Sequence, residues 1–253
     1  MPDDTVRFDI GPEQAGESGH APQIEFLCDP ALFGRIPAPE RAIRFAPEWF
    51  RRLDRDMGMP DANGMPGLTV KACLPVTDAF ALGFVIPLPY DVLLHVPEDR
   101  VSIGLGWAEN VAFAPIDQHH PGQIGAPNAP FEAAMPLKFV NPWRIKVPEG
   151  YSALFMQPLN RPDLPFTTFS GLVDCDRFDT TVNMPFLWTG PLGEHVLPAG
   201  TPIAQIVPIR RDALIKEGQA RASSEDERAE QNEAARRKYN EVSTYAREWR
   251  VKK

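Results

Sequence analysis

At 253 residues with 43% hydrophobic side chains, the chain can bury a sizeable core without a disulfide or metal staple, and general disorder is excluded. A formal net charge of −8 argues against a broad nucleic-acid surface, while 28 prolines limit long helices and central strands because each removes a backbone donor and fixes φ. The three cysteines, Cys28, Cys73 and Cys175, contain no C-x-x-C pair, which argues against a disulfide framework or zinc knuckle and for a reducing compartment.

Residues 1–22 are rich in Asp, Glu, Gly and Pro and read as a flexible arm. They lack the basic start and apolar stretch of a secretory signal, and no run approaches the roughly 20 apolar residues of a membrane span, so a cytoplasmic protein is expected. A single β-rich domain follows over 23–211. Its first strand is expected at Ile24–Cys28, and a short helix then begins at Pro47, with Trp49, Phe50 and Leu53 sharing a face. The turn-rich GMPDANGMPG at 58–67 precedes four short apolar runs, 68–73, 83–88, 91–96 and 101–105, each bounded by Pro, Gly or Asp as strands are. Pro89, Tyr90 and Asp91 fit a hairpin turn.

From Ile116 to Pro130 the chain has no period and many turn residues, a loop long enough to suggest function or mobility. Five further strands are expected at 143–147, 151–158, 169–173, 181–188 and 202–209. Beyond Asp212 the composition shifts to strong helix formers, so residues 212–253 read as a polar amphipathic helical tail with Tyr239, Val242, Tyr245 and Trp249 spaced by three or four. From Arg210 onward 12 Lys and Arg stand against 9 Asp and Glu, interleaved as on a solvated helix. The short apolar stripe of that tail suits docking either on its own body or on a neighbouring subunit, and a homo-oligomer is expected.

Neither phosphate-cradling glycine motif is present, nor is H-E-x-x-H, G-x-S-x-G or an EF-hand loop. Adjacent His119 and His120 are candidate metal ligands if the loop turns both inward; otherwise they are loop histidines facing water. Cys73 is a candidate nucleophile only beside a base that lowers its pKa, with Lys71 two residues away; on a strand it would be a small buried hydrophobe. The most suggestive cluster is Asp174, Asp176 and Asp179 in GLVDCDRFD. If the strand continues, Asp174 and Asp176 project to one face, where they could hold a divalent cation or orient a water. Alternatively Asp and Gly end the strand in a turn, with Arg177 as a salt-bridge partner.

Three stretches in fixed order resemble the deoxyuridine triphosphatase group: VPEGYSALFMQP at 147–158, SGLVDCD at 170–176 and AGTPIAQIVP at 199–208. The resemblance implies a mainly β, β-clip-like distorted barrel or sandwich that commonly forms trimers. It would match Asp174 to the family's catalytic aspartate and Gln205 to a glutamine of its phosphate-binding region. The family's Arg-Ser-Gly after the tyrosine strand is replaced by Pro158, Leu159, Asn160 and Arg161, its sugar-selecting tyrosine by Arg177 or Phe178, and its glycine-rich C-terminal arm by a charged helix. The chain as a whole is also similar to an uncharacterised bacterial and phage protein family, through 71–89, 138–152 and 200–211, which implies no activity.

Three readings follow. In the first, a β-clip-like domain binds a small anionic ligand such as a nucleotide, with hydrolysis as an extension: Asp174 is the base or metal ligand, and Arg161, Asp176, Arg177 and Gln205 are ligand contacts, since guanidinium forks suit phosphate. In the second, the protein is a non-catalytic oligomeric scaffold that docks through Tyr239, Val242, Tyr245 and Trp249. In the third, it is a metal-dependent oxygenase or hydrolase using His119 or His120.

Overall fold

A computed structural model of the chain describes residues 23–62, 64, 66–126, 128, 130, 135–240 and 244–251. The protein is mainly β, built of short strands whose pairings are antiparallel throughout. In chain order they are β1 (Glu25–Leu27), β2 (Glu40–Arg41), β3 (Asp56–Pro60), β4 (Pro66–Leu68), β5 (Phe84–Pro87), β6 (Val92–Val96), β7 (Gly104–Gly106) and β8 (Ile116–Gln118). There follow β9 (Leu137–Phe139), β10 (Arg144–Lys146), β11 (Tyr151–Met156), β12 (Phe166–Thr168), β13 (Gly171–Val173), β14 (Met184–Trp188), β15 (Gly193–Leu197) and β16 (Pro202–Arg210). The helices are α1 (Glu48–Arg52), α2 (Leu74–Ala81) and α3 (Glu225–Asn240).

The largest sheet runs β13-β11-β16-β5-β2, a second β12-β14-β9-β8, and a third β15-β6-β7, with β1-β10 and β3-β4 as two-stranded pairs. In the strands that line the core, alternation turns one face inward, clearest in β6, where Val92, Leu94 and Val96 are buried and Leu93 and His95 exposed. Phe139, Phe166 and Phe186 form the aromatic centre, with the rings of Phe139 and Phe186 stacked at 3.8 Å.

In the largest sheet, cross-strand partners sort into two faces. Ala153 and Phe155 of β11 and Ile206 of β16 are core residues. On the opposite face, Leu172, Leu154 and Val207 lie in one row across β13, β11 and β16. Gln205 of β16 belongs to that opposite face and is only 2% exposed, because the C-terminal end of α2 lies over it. A tight approach seats this end: Gly83, just after α2, has a φ of +66°, and a Cβ there would lie 2.0 Å from the Ile206 carbonyl oxygen.

Several expected elements take other forms. The stretch 68–73 does not form one strand; it spans the end of β4, a 3-10 turn at Val70–Ala72 and Cys73, the N-cap of α2. Pro75 in the first turn of α2 makes it a helix start, since proline needs no N–H partner there. The run 101–105 supplies β7 only at its end, after a turn in which Asp99 accepts from the N–H groups of Val101 and Ser102. The expected loop 116–130 contains β8 and a 3-10 turn at Pro121–Ile124. The tail is not one continuous helix from residue 212, because 214–224 carry no regular secondary structure and are exposed before α3, while Tyr245–Trp249 form a π-type turn. Among the described residues no helix is long and apolar enough to cross a membrane.

Candidate functional site

The aspartate cluster sits where β11 begins and β13 and β16 end. Strand β13 stops at Val173, and the chain turns at once: the N–H groups of Arg177 and Phe178 both donate to the Asp174 carbonyl, at 2.9 and 2.8 Å. Asp174 and Asp176 therefore do not project from one face of a continuing strand, as one branch of the sequence reading supposed. They are drawn together by Arg211, which follows the last residue of β16.

Arg211 donates to both Asp176 oxygens, at 3.0 and 2.5 Å, and to the Tyr151 carbonyl at 2.6 Å. The Gly150 N–H donates to Asp176 at 3.0 Å, and the Asp176 side chain is only 2% exposed. Bonded by Arg211 first of all, the Asp176 carboxyl is held down to about 2. Asp176 is thus a brace ionised at neutral pH whose oxygens are already taken. Between the two aspartates, Cys175 is buried; burial, reinforced by both neighbouring carboxylates, pushes its thiol up to about 11, so it stays protonated.

Asp174 is placed differently. Its carboxylate accepts from the buried Ser152 hydroxyl at 2.6 Å and lies 3.4 Å from Arg211, yet its side chain is 63% exposed. It is an oriented carboxylate open to solvent, able to accept a proton or to meet a cation. Arg177, three residues on, is exposed, and among the described residues its guanidinium makes no ion pair or hydrogen bond. Asp179 pairs with Arg144 at 2.7 Å.

The other nominated ligand contacts are structural. Arg161 donates from Nε and Nη2 to Asp163, at 2.9 and 2.7 Å, and from Nη1 to the Phe45 carbonyl at 2.9 Å. Burial pushes the Asp163 carboxyl up, but the Arg161 guanidinium outweighs it and holds it below its usual range. Gln205 accepts from the Leu159 N–H at 2.8 Å and donates to the Leu82 and Ala79 carbonyls at 2.6 and 3.3 Å, tying β16 to α2. Both side chains are spent inside the fold, far from the role of a phosphate clamp.

His120 is an N-cap: its Nδ1 accepts from the Gly122 N–H at 3.1 Å, while the Gln123 side chain accepts from the His120 N–H. The neighbouring His119 N–H donates to Pro136. Among the described residues no group of three or more His, Cys, Asp or Glu side chains converges where a metal ion could be held. Cys73 is exposed at the start of α2, and Lys71 is occupied elsewhere, donating to the Phe50 and Arg51 carbonyls at 2.7 and 2.9 Å. In the tail, Val242 and the side chain of Tyr239 lie outside the described residues, whereas Tyr245 and Trp249 are 38% and 39% exposed. Arg250 beside them pairs with Asp78 of α2 at 2.7 Å, so the tail end docks on its own body.

Sequence reasoning missed Arg211 and Ser152, the two groups that organise the aspartates. A signal for Ser152 is its place two residues from Leu154, on the same face as Leu172; none marks Arg211 beyond its position directly after a long strand. Two surface cavities, of about 490 and about 120 Å³, lie beside α3 and beside Trp188, and no nominated residue lines either.

No family model and no curated protein matches the chain. Among solved structures it is similar to a mutant dUTPase of Staphylococcus bacteriophage 80alpha with dUpNHpp, at 12% identity over 82% of this chain and 91% of that chain, with a TM-score of 0.35. A likeness that loose transfers no residue role.

Proposed function

We propose that the protein is a non-catalytic, self-associating module, a β-clip-like cytoplasmic domain whose surfaces serve assembly. The observation that carries this reading is the set of apolar side chains standing exposed on its sheets and tail. Val196 of β15 is 62% exposed directly across from Leu93 of β6 at 45%, Leu172 of β13 is 54% exposed, and Ile215 is 92% exposed. Contiguous exposed apolar surface is what association covers, and Val196 with Leu93 makes such a pair on one sheet face. Sedimentation equilibrium of the full chain over a wide concentration range tests it. Oligomers are expected; a monomer at every concentration overturns the reading.

A second reading, binding of a small anion such as a nucleotide, rests on the exposed Asp174 carboxylate and the exposed Arg177 guanidinium on the same turn. Its expected signature is a thermal shift with nucleotides, with or without a divalent cation, that disappears in Asp174→Ala. A ligand at 100 times its Kd stabilises by about 2.7 kcal/mol, well within reach of such a screen. A flat response across the panel removes this reading and leaves the first.

A further inference from the structure

We infer that the turn at Asp174–Arg177, with Leu172 before it and Phe178 after it, is a two-fold interface with a second copy of this chain. The inference rests on the self-associating reading above and names its surface. Its starting point is that this small region exposes both signs of charge to solvent. Arg177 is exposed and makes no ion pair among the described residues, its charge acting only at longer range on Asp176, and Asp174, which accepts from Ser152 at 2.6 Å and lies 3.4 Å from an Arg211 committed to Asp176, is still 63% exposed. A two-fold axis brings one patch against an identical patch, so each residue i meets j while j meets i. A patch holding one exposed cation and one exposed anion on the same turn is complementary to itself. With the axis through the turn, Arg177 of each copy faces Asp174 of the other.

Apolar surface accompanies the charges. Leu172 is 54% exposed and Phe178 42%, and Leu172 lies at the open edge of the five-stranded sheet in a row with Leu154 and Val207. Burying these side chains supplies attraction, while the exposed ion pairs contribute little by themselves and set register and partner choice. The turn is also stiff enough to present its charges in one arrangement: two backbone bonds close it on the Asp174 carbonyl, and Ser152 fixes the Asp174 carboxylate. Such pre-organisation lowers the entropic cost of association.

The test is charge reversal with rescue by mixing, read by sedimentation equilibrium of full-length chains at low salt. Arg177→Asp and Asp174→Arg each place like charges across the axis and are expected to weaken self-association about tenfold or more. Mixed in equal amounts, the two variants recreate both opposite-charge contacts and are expected to form a heterodimer close to wild-type affinity. A variant that simply misfolds cannot be rescued this way, and Leu172→Glu, which leaves both charges in place, is expected to weaken association as well. Self-association that ignores all three substitutions, or reversals that fail to rescue each other, overturns this interface while leaving self-association standing. A wild-type chain that is monomeric at every concentration overturns both.

Discussion

Asp176 is the clearest case of a residue whose chemistry is set by its neighbours. Its carboxylate lies between the Arg211 guanidinium and the Gly150 N–H, which together hold it down to about 2, against about 3.9 for an aspartate in an unfolded chain. A depressed folded-state value favours folding wherever the unfolded carboxyl is also ionised, so the contribution is present above about pH 4 and is lost as pH falls towards about 2. Thermal melts followed by circular dichroism from pH 7 to pH 2 are expected to show a steep fall in Tm across that window. Asp176→Asn is expected to lower Tm by several degrees at pH 7, because Arg211 loses its charged partner, and to flatten the slope between pH 4 and 2. Glu227 is an instructive control. It is also held down to about 2, bonded by Arg221 first and then by the Ser224 N–H, but it sits in the first turn of the exposed α3. Glu227→Gln should leave the melting of the β body almost unchanged, since exposed pairs contribute little. Equal effects from the two substitutions would show that the Asp176–Arg211 contact is no brace.

At the scale of elements, legibility followed period and failed where contacts are distant in sequence. The apolar runs at 83–88, 91–96, 151–158 and 202–209 fall on β5, β6, β11 and β16, because alternation and turn residues are local signals. Helix α2 was missed because LPVTDAFA has few residues and a proline near its start, although Val76 and Phe80, four apart, share the face that packs with Phe50. The tail misled for the opposite reason. Its composition favours helix throughout, yet 214–224 carry no regular secondary structure, and the helix that does form begins where Ser224 caps it in a reciprocal bond with Glu227. The site was legible only in part. GLVDCD marks the aspartates, but nothing local says that Asp174 would remain open while Asp176 is consumed. That difference comes from β16 pairing with β11, and β11 with β13, which delivers Arg211 across 35 residues of sequence. The same long-range pairings spend Arg161 on Asp163 and Gln205 on α2, so residue type alone overstated both as ligand contacts.

For the whole molecule, the open question is what the tail does, and the structure separates two answers. Helix α3 is exposed nearly all round, as its charge-rich sequence requires, and the tail reaches the body through its end, where Arg250 meets Asp78, whose side chain is only 10% exposed. A tail held at its far end across an exposed connection is suited to exchange between copies, because the same docking contact can be made to a neighbour. The interface inferred at the Asp174–Arg177 turn does not need it. A chain ending at Ala213 distinguishes these cases. The body is expected to stay folded, with the strand signal in far-UV circular dichroism retained, the helical signal reduced, and Tm lowered by only a few degrees as Asp78 loses Arg250. Self-association is expected to persist at near wild-type strength, because Leu172, Asp174, Arg177 and Phe178 all remain. Dissociation to a folded monomer would instead make the exchanged tail the assembly device, and the exposed Ile215 would then be the first side chain to seek in the contact between copies.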